Sequence, residues 1–293
     1  MYLILNFIRG NFPLVGILII KTGNCPMNNL FRLSLLVLSL FSIVSIPAQA
    51  HTPYLAPASF EPLREGWVTL DASFAEEFFV PEVVFDNSEY AVRDAEGRWG
   101  KPATVQLFKT RAVIEHQLDQ KGTYRFSTGV RHGAVFRLYE LNGERRGTRD
   151  PNETLPKGAK LLDHFQSVTL AEAYITLKTP TQAALKPYNN GLEVVPTTHP
   201  NDVYHGEDFR VQVLFDGKPL AGQELHVFIA NDGQSDEKPA LVAKTDQQGF
   251  TDLKLPRVAV YLLQTRYRHA APKEAPAPNY SYTYTLVFNV AEQ

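Results

Sequence analysis

The sequence has a single cysteine among its 293 residues, Cys25, and none after residue 50. The chain beyond residue 50 therefore has no disulfide, no thiolate metal site and no cysteine nucleophile. Any metal bound by this part of the chain must be held by nitrogen and oxygen ligands. Histidine and acidic side chains supply such ligands, and the sequence contains 8 histidines.

Excess charge and enzyme motifs are also missing. Lys and Arg total 29 against 31 for Asp and Glu, so nothing favours nucleic acid or an anionic lipid surface as a partner. The chain contains no G-x-S-x-G, no P-loop, no G-x-G-x-x-G and no H-E-x-x-H segment. We therefore expect a protein that is not an enzyme.

The first fifty residues contain no Asp or Glu and have the features of a targeting region. Residues 27–50 combine a basic start, an apolar run over 33–46 and a small-x-small pattern ending at Ala50, after which signal peptidase cuts. This pattern predicts a periplasmic protein that meets the membrane only through the uncleaved signal, with residues 1–26 an over-called start. In the alternative, residues 14–20 and 33–46 are membrane segments, but both are shorter than the roughly 20 apolar residues of a spanning helix.

Residues after 50 show short stretches of alternating apolar and polar residues, separated by Gly, Pro, Asn and Asp, as in WVTLDASF and GTYRFSTG. Such alternation is typical of half-buried strands, whereas no stretch carries a convincing 3.6-residue helical stripe. In DHFQSVTLAEAYITL we predict a turn followed by the strand AEAYITL. The predicted fold is all-β, with two antiparallel β-sandwich domains over 51–180 and 192–293, joined by a linker over 181–191.

Cleavage after Ala50 would make His51 the first residue of the secreted protein. An N-terminal histidine offers its α-amino group and its imidazole Nδ1, which can chelate one ion together. A second histidine would complete a histidine brace, a site with three nitrogens, and tetragonal nitrogen sites favour Cu(II) or Ni(II). We predict that His116 and His132 supply further ligands, because each lies at or beside a predicted strand end and the strand GTYRFSTGV would make them neighbours in one sheet.

Other segments are weaker candidates. His164 in LLDHFQ is a further ligand candidate, whereas the histidines and acids of THPNDVYHGEDF lie in sequences typical of turns. The segment FAEEFFVPEVVFDNSEY, residues 74–90, interleaves acidic and aromatic residues. We expect its aromatic side chains to enter the core and its acids to lie at a rim where one of them can add an oxygen ligand; these acids are Glu76, Glu77, Glu82, Asp86 and Glu89. A carboxylate pair of a glycosidase is the alternative.

The sequence resembles the DUF4198 family in two places: HTPYLAP directly behind the targeting region, and LEVVPTTHPNDVYHGEDFRVQVLFDGKPLAG further on. The resemblance spans nearly all of residues 51–290. It implies a secreted all-β protein with a role in nickel or cobalt uptake. Family members typically begin the mature chain with His-Asp, whereas Thr52 follows His51 here, which weakens any site that uses a carboxylate at the second position.

Taken with this resemblance, the sequence predicts a periplasmic protein that binds Ni, Co or Cu as a divalent ion and assists uptake by a membrane transporter. Two alternatives stay open, a structural or adaptor protein without metal and a copper oxidoreductase built on a histidine brace. Imidazole and amine ligands bind all three ions, so the sequence does not choose among them.

Overall fold

The computed structural model describes residues 51–62, 64–230 and 238–293, and outside them the two short strands Asn6–Ile8 (β1) and Pro13–Val15 (β2). β1 and β2 pair antiparallel within a first unit, residues 1–48, and residues 49–293 form the second unit. The predicted signal peptide lies outside the described residues. Within the described part of the chain, no helix is long and apolar enough to span a membrane.

The regular secondary structure of the second unit is almost entirely β-strand, which confirms the predicted all-β class. The one helical element among its described residues is a 3-10 turn at Ala183–Leu185. The strands are β3 (Thr52–Pro57), β4 (Trp67–Ala75), β5 (Val83–Val84), β6 (Ala91–Arg93), β7 (Trp99–Gly100), β8 (Thr104–Leu107), β9 (Ala112–Gln117), β10 (Gly122–Ser127), β11 (Arg131–Leu141), β12 (Glu144–Thr148), β13 (Lys160–Leu177), β14 (Leu192–Pro196), β15 (Asp208–Phe215), β16 (Lys218–Pro219), β17 (Glu224–Ile229), β18 (Leu241–Lys244), β19 (Phe250–Lys254), β20 (Ala259–Ala270) and β21 (Asn279–Val290).

One sheet has five strands in the order β3-β4-β9-β8, with β5 paired to β4. In β4, WVTLDASFA, every second residue from Val68 to Phe74 is buried. This is the period-two pattern of a strand with one face on the core. β3 lies antiparallel beside β4 with Thr52 opposite Ala75, so the residue before Thr52 lies at the end of β4.

The second sheet has ten strands in the order β18-β17-β20-β21-β13-β10-β6-β7, with β11 paired to β13 and β12 to β11. β13 and β21 run parallel. Because β13 extends over Lys160–Leu177, the predicted turn in DHFQSVTL is wrong, and that segment belongs to one long strand. It pairs with β11 on one side and β21 on the other, and these long-range pairings outweigh the local turn preference.

β14, β15, β16 and β19 form a four-stranded sheet. The buried cluster between it and the ten-stranded sheet includes Val213 of β15 and Phe288 of β21. A second cluster, with Leu70, Ile114 and Phe126, joins the five-stranded sheet to β10 and β13. Each cluster is a core between two facing sheets, which is the sandwich packing expected from the alternating sequence.

Strands from both sides of the predicted linker over 181–191 belong to the ten-stranded sheet, because β21 lies beside β13. Ala184 and Leu185, inside that segment, are buried in the cluster that contains β15 and β21 residues. A third cluster joins Tyr54 of β3 to Val287 of β21. The first strand behind the predicted cleavage site is therefore packed against the last strand of the chain. The division into two domains stays a prediction.

β10 and β13 carry a fully buried ion pair, Arg125 and Glu172. Nε and Nη2 of Arg125 donate to the two carboxylate oxygens of Glu172 at 2.9 and 2.5 Å. The hydroxyl of Tyr284 donates to Oε2 of Glu172 at 2.5 Å, and the guanidinium lies 4.6 Å from the ring centroid of Tyr188. Burial alone would lower the pKa of Arg125, but the charge of Glu172 raises it well above its usual range.

Candidate metal site

His51 is placed at one end of the five-stranded sheet by the strand that follows it. Since Thr52 lies opposite Ala75 in antiparallel register, His51 is next to Glu76, the residue that follows β4. The chain then turns back into β5, which pairs with the end of β4. This return brings Glu82, the residue before β5, to the same end of the sheet.

The side chains of His51, Glu76 and Glu82 converge there, and we call them the His51 cluster. Nδ1 of His51 lies 3.0 Å from Oε2 of Glu82 and 3.7 Å from Oε1 of Glu76. One ligand atom of each residue lies within 4.8 Å of the other two. Over residues 51–62, 64–230 and 238–293, this is the one group of three or more His, Cys, Asp or Glu side chains that meets this criterion.

A backbone hydrogen bond fixes the Glu82 carboxylate. Its Oε1 accepts the N–H of Glu76 at 2.9 Å, which leaves Oε2 next to the histidine. Between the two acids, Phe78 is 3% exposed and packs in the third core cluster. The loop is thus anchored by an aromatic side chain while Glu76 stays exposed and Glu82 half-buried, which is the division of roles expected from the sequence.

Nδ1 of His51 is cut off from solvent and has no hydrogen-bond partner among the described residues. The 3.0 Å separation from Glu82 is short enough for a hydrogen bond, but the alignment is not that of one. A buried polar atom left without a partner costs roughly 1–3 kcal/mol. With Nδ1 unprotonated, its lone pair and the two carboxylates form a set of three acceptors, and a cation would satisfy all three.

The spacing of these atoms suits one metal ion. Imidazole nitrogen and carboxylate oxygen bind a divalent ion such as zinc at about 2.0–2.2 Å, so two ligand atoms on one ion lie about 2.9 Å apart when adjacent and about 4.2 Å apart when opposite. The separations of 3.0 and 3.7 Å lie within this range. With the α-amino group that cleavage after Ala50 would create, the donor set becomes two nitrogens and two oxygens. The sequence predicted three nitrogens.

The structure does not bring His116 to this cluster. His116 pairs with Val68 near the start of β4, whereas His51 lies beyond Ala75 at its end. Seven residues of strand separate these positions, about 23 Å at 3.3 Å per residue. Nδ1 of His116 accepts the N–H of Ala103 at 3.2 Å, and burial lowers the pKa of the imidazole. His116 is a half-buried residue of the sheet.

His132 also lies outside the His51 cluster. It is on β11, which pairs with β13 in the ten-stranded sheet, whereas His116 is on β9 in the five-stranded sheet. The expectation that the two are neighbours in one sheet is therefore wrong, because β10 pairs with β13 and β6 and not with β9. The exposed His132 ring meets Tyr280 edge-on, with centroids 5.3 Å apart. Glu76 and Glu82 replace His116 and His132 as the candidate ligands beside His51.

The remaining histidines are not in the cluster either: His164, His199, His205, His226 and His269. His199 is buried, at 7% exposure. Its Nδ1 accepts the N–H of Asn201 at 3.2 Å, so Nε2 carries the proton and donates to Oγ1 of Thr123 at 2.8 Å. Burial lowers the pKa of this imidazole. His199 therefore ties the turn before β15 to β10 as a neutral side chain.

The variant His199→Gln is expected to flatten the loss of stability on acidification. The unfolded chain gains a proton at this residue below about pH 6.5, whereas the folded chain gains it only at lower pH because burial lowers the pKa. Stability therefore falls as the pH drops below about 6.5 and levels off below the folded pKa. Urea unfolding between about pH 5 and pH 7.5 measures this slope. His205→Gln makes the same change at an exposed residue and is the matched control. An unchanged slope in His199→Gln would contradict the prediction.

Sequence reasoning found His51 but not the pairing with Glu76 and Glu82, which it left among five acids of one segment. The available signal is local. Glu76 and Glu77 precede a Phe-Phe-Val-Pro run and Glu82 follows it, so aromatic burial and a proline return the chain on itself and bring carboxylates from both sides of the run together.

The model of a family described as "Domain of unknown function (DUF4198)" matches residues 48–269. The chain belongs to this family. The match begins just before His51, so all three members of the His51 cluster lie within the DUF4198 region. No curated protein matches the chain.

Among solved structures, the chain is similar to one titled "D0-D1 domain of Intimin". The similarity covers 80% of this chain and 96% of that one, at 13% identity and a TM-score of 0.20. A TM-score this low supports no argument about fold or function.

Proposed function

We propose that this DUF4198 protein binds a divalent transition metal, Ni(II), Co(II) or Cu(II), in the bacterial periplasm and passes it to a membrane transporter. The metal is cargo in this proposal, and the protein is not an enzyme. The observation that carries it is the Nδ1 atom of His51, buried without a hydrogen-bond partner beside two carboxylate oxygens. The predicted cleavage directly before His51 supports it further, since cleavage adds an amine to the same set of ligands.

The exposure of the cluster suits a site that loads and releases an ion. The side chains of His51 and Glu76 are 37% and 48% exposed. Structural metal sites are closed by protein ligands on all sides, whereas an ion that is delivered elsewhere needs a route in and out. Nitrogen and oxygen ligands in a tetragonal arrangement favour Cu(II) or Ni(II), and two carboxylates balance the charge of a divalent ion.

The proposal requires that the processed protein, with His51 confirmed as its first residue by mass spectrometry, bind one ion per chain. Calorimetry with Ni(II), Co(II) and Cu(II) measures this. If none of the three binds stoichiometrically, the proposal is wrong. In cells, His51→Ala should lower metal content as strongly as deletion of the whole protein. A normal metal content in His51→Ala, but not in the deletion, would favour the adaptor function.

Glu82→Gln is expected to weaken metal binding at least about 10-fold, comparable to the cost of altering groups around a metal centre. The amide oxygen can still accept the Glu76 N–H, so the loop is retained while the charge at Oε2 is lost. Glu77→Gln is the matched control, because it makes the same change in the same loop at a residue outside the cluster. Competition with a coloured chelator measures both affinities. Equal affinities for the two variants would exclude Glu82 as a ligand.

A further inference from the structure

We infer that Gln264 is a positioning residue for the His51 ligand and acts on it through Thr52. This inference rests on the proposed metal-binding function. Nε2 of Gln264 donates a hydrogen bond to Oγ1 of Thr52 at 2.8 Å. Thr52 is fully buried and Gln264 is 6% exposed, so the hydrogen bond between them is buried. The contact joins the residue directly behind His51 to β20, at the other end of the sequence.

Neighbouring contacts hold the same stretch of backbone. Nη2 of Arg266, two residues further along β20, donates to Oγ1 of Thr52 at 3.3 Å. Oγ1 of Thr285 on β21 donates to the carbonyl of Pro53 at 2.9 Å, and Thr285 is fully buried. The side chain of Tyr54 then enters the third core cluster. Three successive residues behind His51 are therefore fixed by the C-terminal strands.

This anchoring matters because a chain terminus ordinarily frays unless it is tied down. His51, Glu76 and Glu82 lie directly beside the ends of three different strands, so the cluster exists only while the first residues of β3 stay in register with β4. If cleavage creates the terminus at His51, one residue separates the metal-binding amine from the Thr52 anchor. Groups that orient a ligand raise metal affinity by reducing the freedom it loses on binding.

Two substitutions of Thr52 separate positioning from general stability. Thr52→Val keeps the shape of the side chain and removes the acceptor, whereas Thr52→Ser keeps the hydroxyl. We expect Thr52→Val, and likewise Gln264→Leu, to weaken binding of Cu(II) to the processed protein about 10- to 100-fold. Thr52→Ser should restore most of the wild-type affinity. The Cu(II) electron paramagnetic resonance spectrum should show a changed ligand geometry in Thr52→Val but not in Thr52→Ser.

Thr265→Val is the matched control. Thr265 follows Gln264 on β20, is 1% exposed, and donates to the carbonyl of Glu224 at 2.8 Å, away from Thr52. It should lower the unfolding temperature as Thr52→Val does while leaving Cu(II) affinity and the spectrum unchanged. Affinities are compared at a temperature where circular dichroism shows every variant folded.

The possible results distinguish failure of the positioning role from failure of the proposed function. Wild-type affinity in Thr52→Val, or an equal loss in Thr265→Val, would overturn the positioning role while leaving metal binding itself intact. A wild-type processed protein that binds no Cu(II), Ni(II) or Co(II) would overturn the proposed function and this inference together.

Discussion

Arg125→Met is expected to lower the free energy of unfolding by about 3–5 kcal/mol, the cost of removing one member of a buried ion pair. Methionine fills much of the space beside Tyr188 but donates no hydrogen bond. The carboxylate of Glu172 would keep the Tyr284 hydroxyl as a donor and lose both bonds from the guanidinium. The buried carboxylate then has one hydrogen-bond donor in place of the three of the native protein, and this loss destabilises the folded state.

The double variant Arg125→Met/Glu172→Met should recover a large part of this loss, because no uncompensated charge is then buried. A double-mutant cycle built from urea unfolding curves gives the coupling. The exposed pair Arg210 and Asp252, 2.9 Å apart with side chains 44% and 42% exposed, supplies the control. Arg210→Met should cost less than about 1 kcal/mol. If Arg125→Met costs no more than Arg210→Met, the buried pair does not contribute as described.

The strands of this protein were predictable because the alternation of apolar and polar residues that favours them is local. WVTLDASF and GTYRFSTG alternate with the period of a pleated strand, and both are strands in the structure. The long strand β13 was only half predicted, since its first half is held by β11 and by the parallel partner β21, more than a hundred residues away. Pairing between segments so far apart leaves no trace in local periodicity, so the joining of both halves in one ten-stranded sheet was not foreseen.

The sequence signal for the buried ion pair is a charged residue inside an apolar stretch. Arg125 lies between Tyr124 and Phe126, and Glu172 between Ala171 and Ala173, all buried. A charged residue in such surroundings is almost never fully buried without a partner. Sequence alone indicates that each needs a partner, but only the register of β10 against β13 brings these two together.

The candidate site was likewise predictable only in part. His51 was predictable from the processing pattern, which is a short linear signal. His116 and His132 were chosen because both lie near strand ends, but the side of a sheet on which a strand pairs is a tertiary property. β9 pairs with β4 and β8, and β11 with β12 and β13, so the two histidines belong to different sheets. The two carboxylates beside His51 are close to one another in the sequence. Glu76 directly follows the neighbouring strand β4, and Glu82 ends the loop behind it, so a local return of the chain brings both to His51.

Extending the processed protein by the five residues before His51, so that it begins at Ile46, is expected to weaken Cu(II) or Ni(II) binding by more than about 100-fold, beyond the usual cost of changes around a metal centre. The α-amino nitrogen of His51 becomes a peptide nitrogen, whose lone pair is delocalised into the carbonyl. The site then keeps one imidazole and two carboxylates. It loses the six-membered chelate ring that the α-amino nitrogen and Nδ1 of His51 would form with the metal. The extension changes no residue from Thr52 onward, so the unfolding temperature without metal should stay the same.

The length of the extension matters for this experiment. A free amine one or two residues before a histidine makes its own copper and nickel chelate through the intervening amides, which would hide the loss. Starting at Ile46 moves the amine away and places Pro47 in the second position, where it has no N–H to deprotonate. His51→Gln in the processed protein is the companion variant, because it retains the amine and removes the imidazole, and it should weaken binding to a similar degree. If the protein that begins at Ile46 binds as tightly as the processed one, the amine is not a ligand. Metal binding would then depend on the three side chains alone, and cleavage before His51 would serve export only.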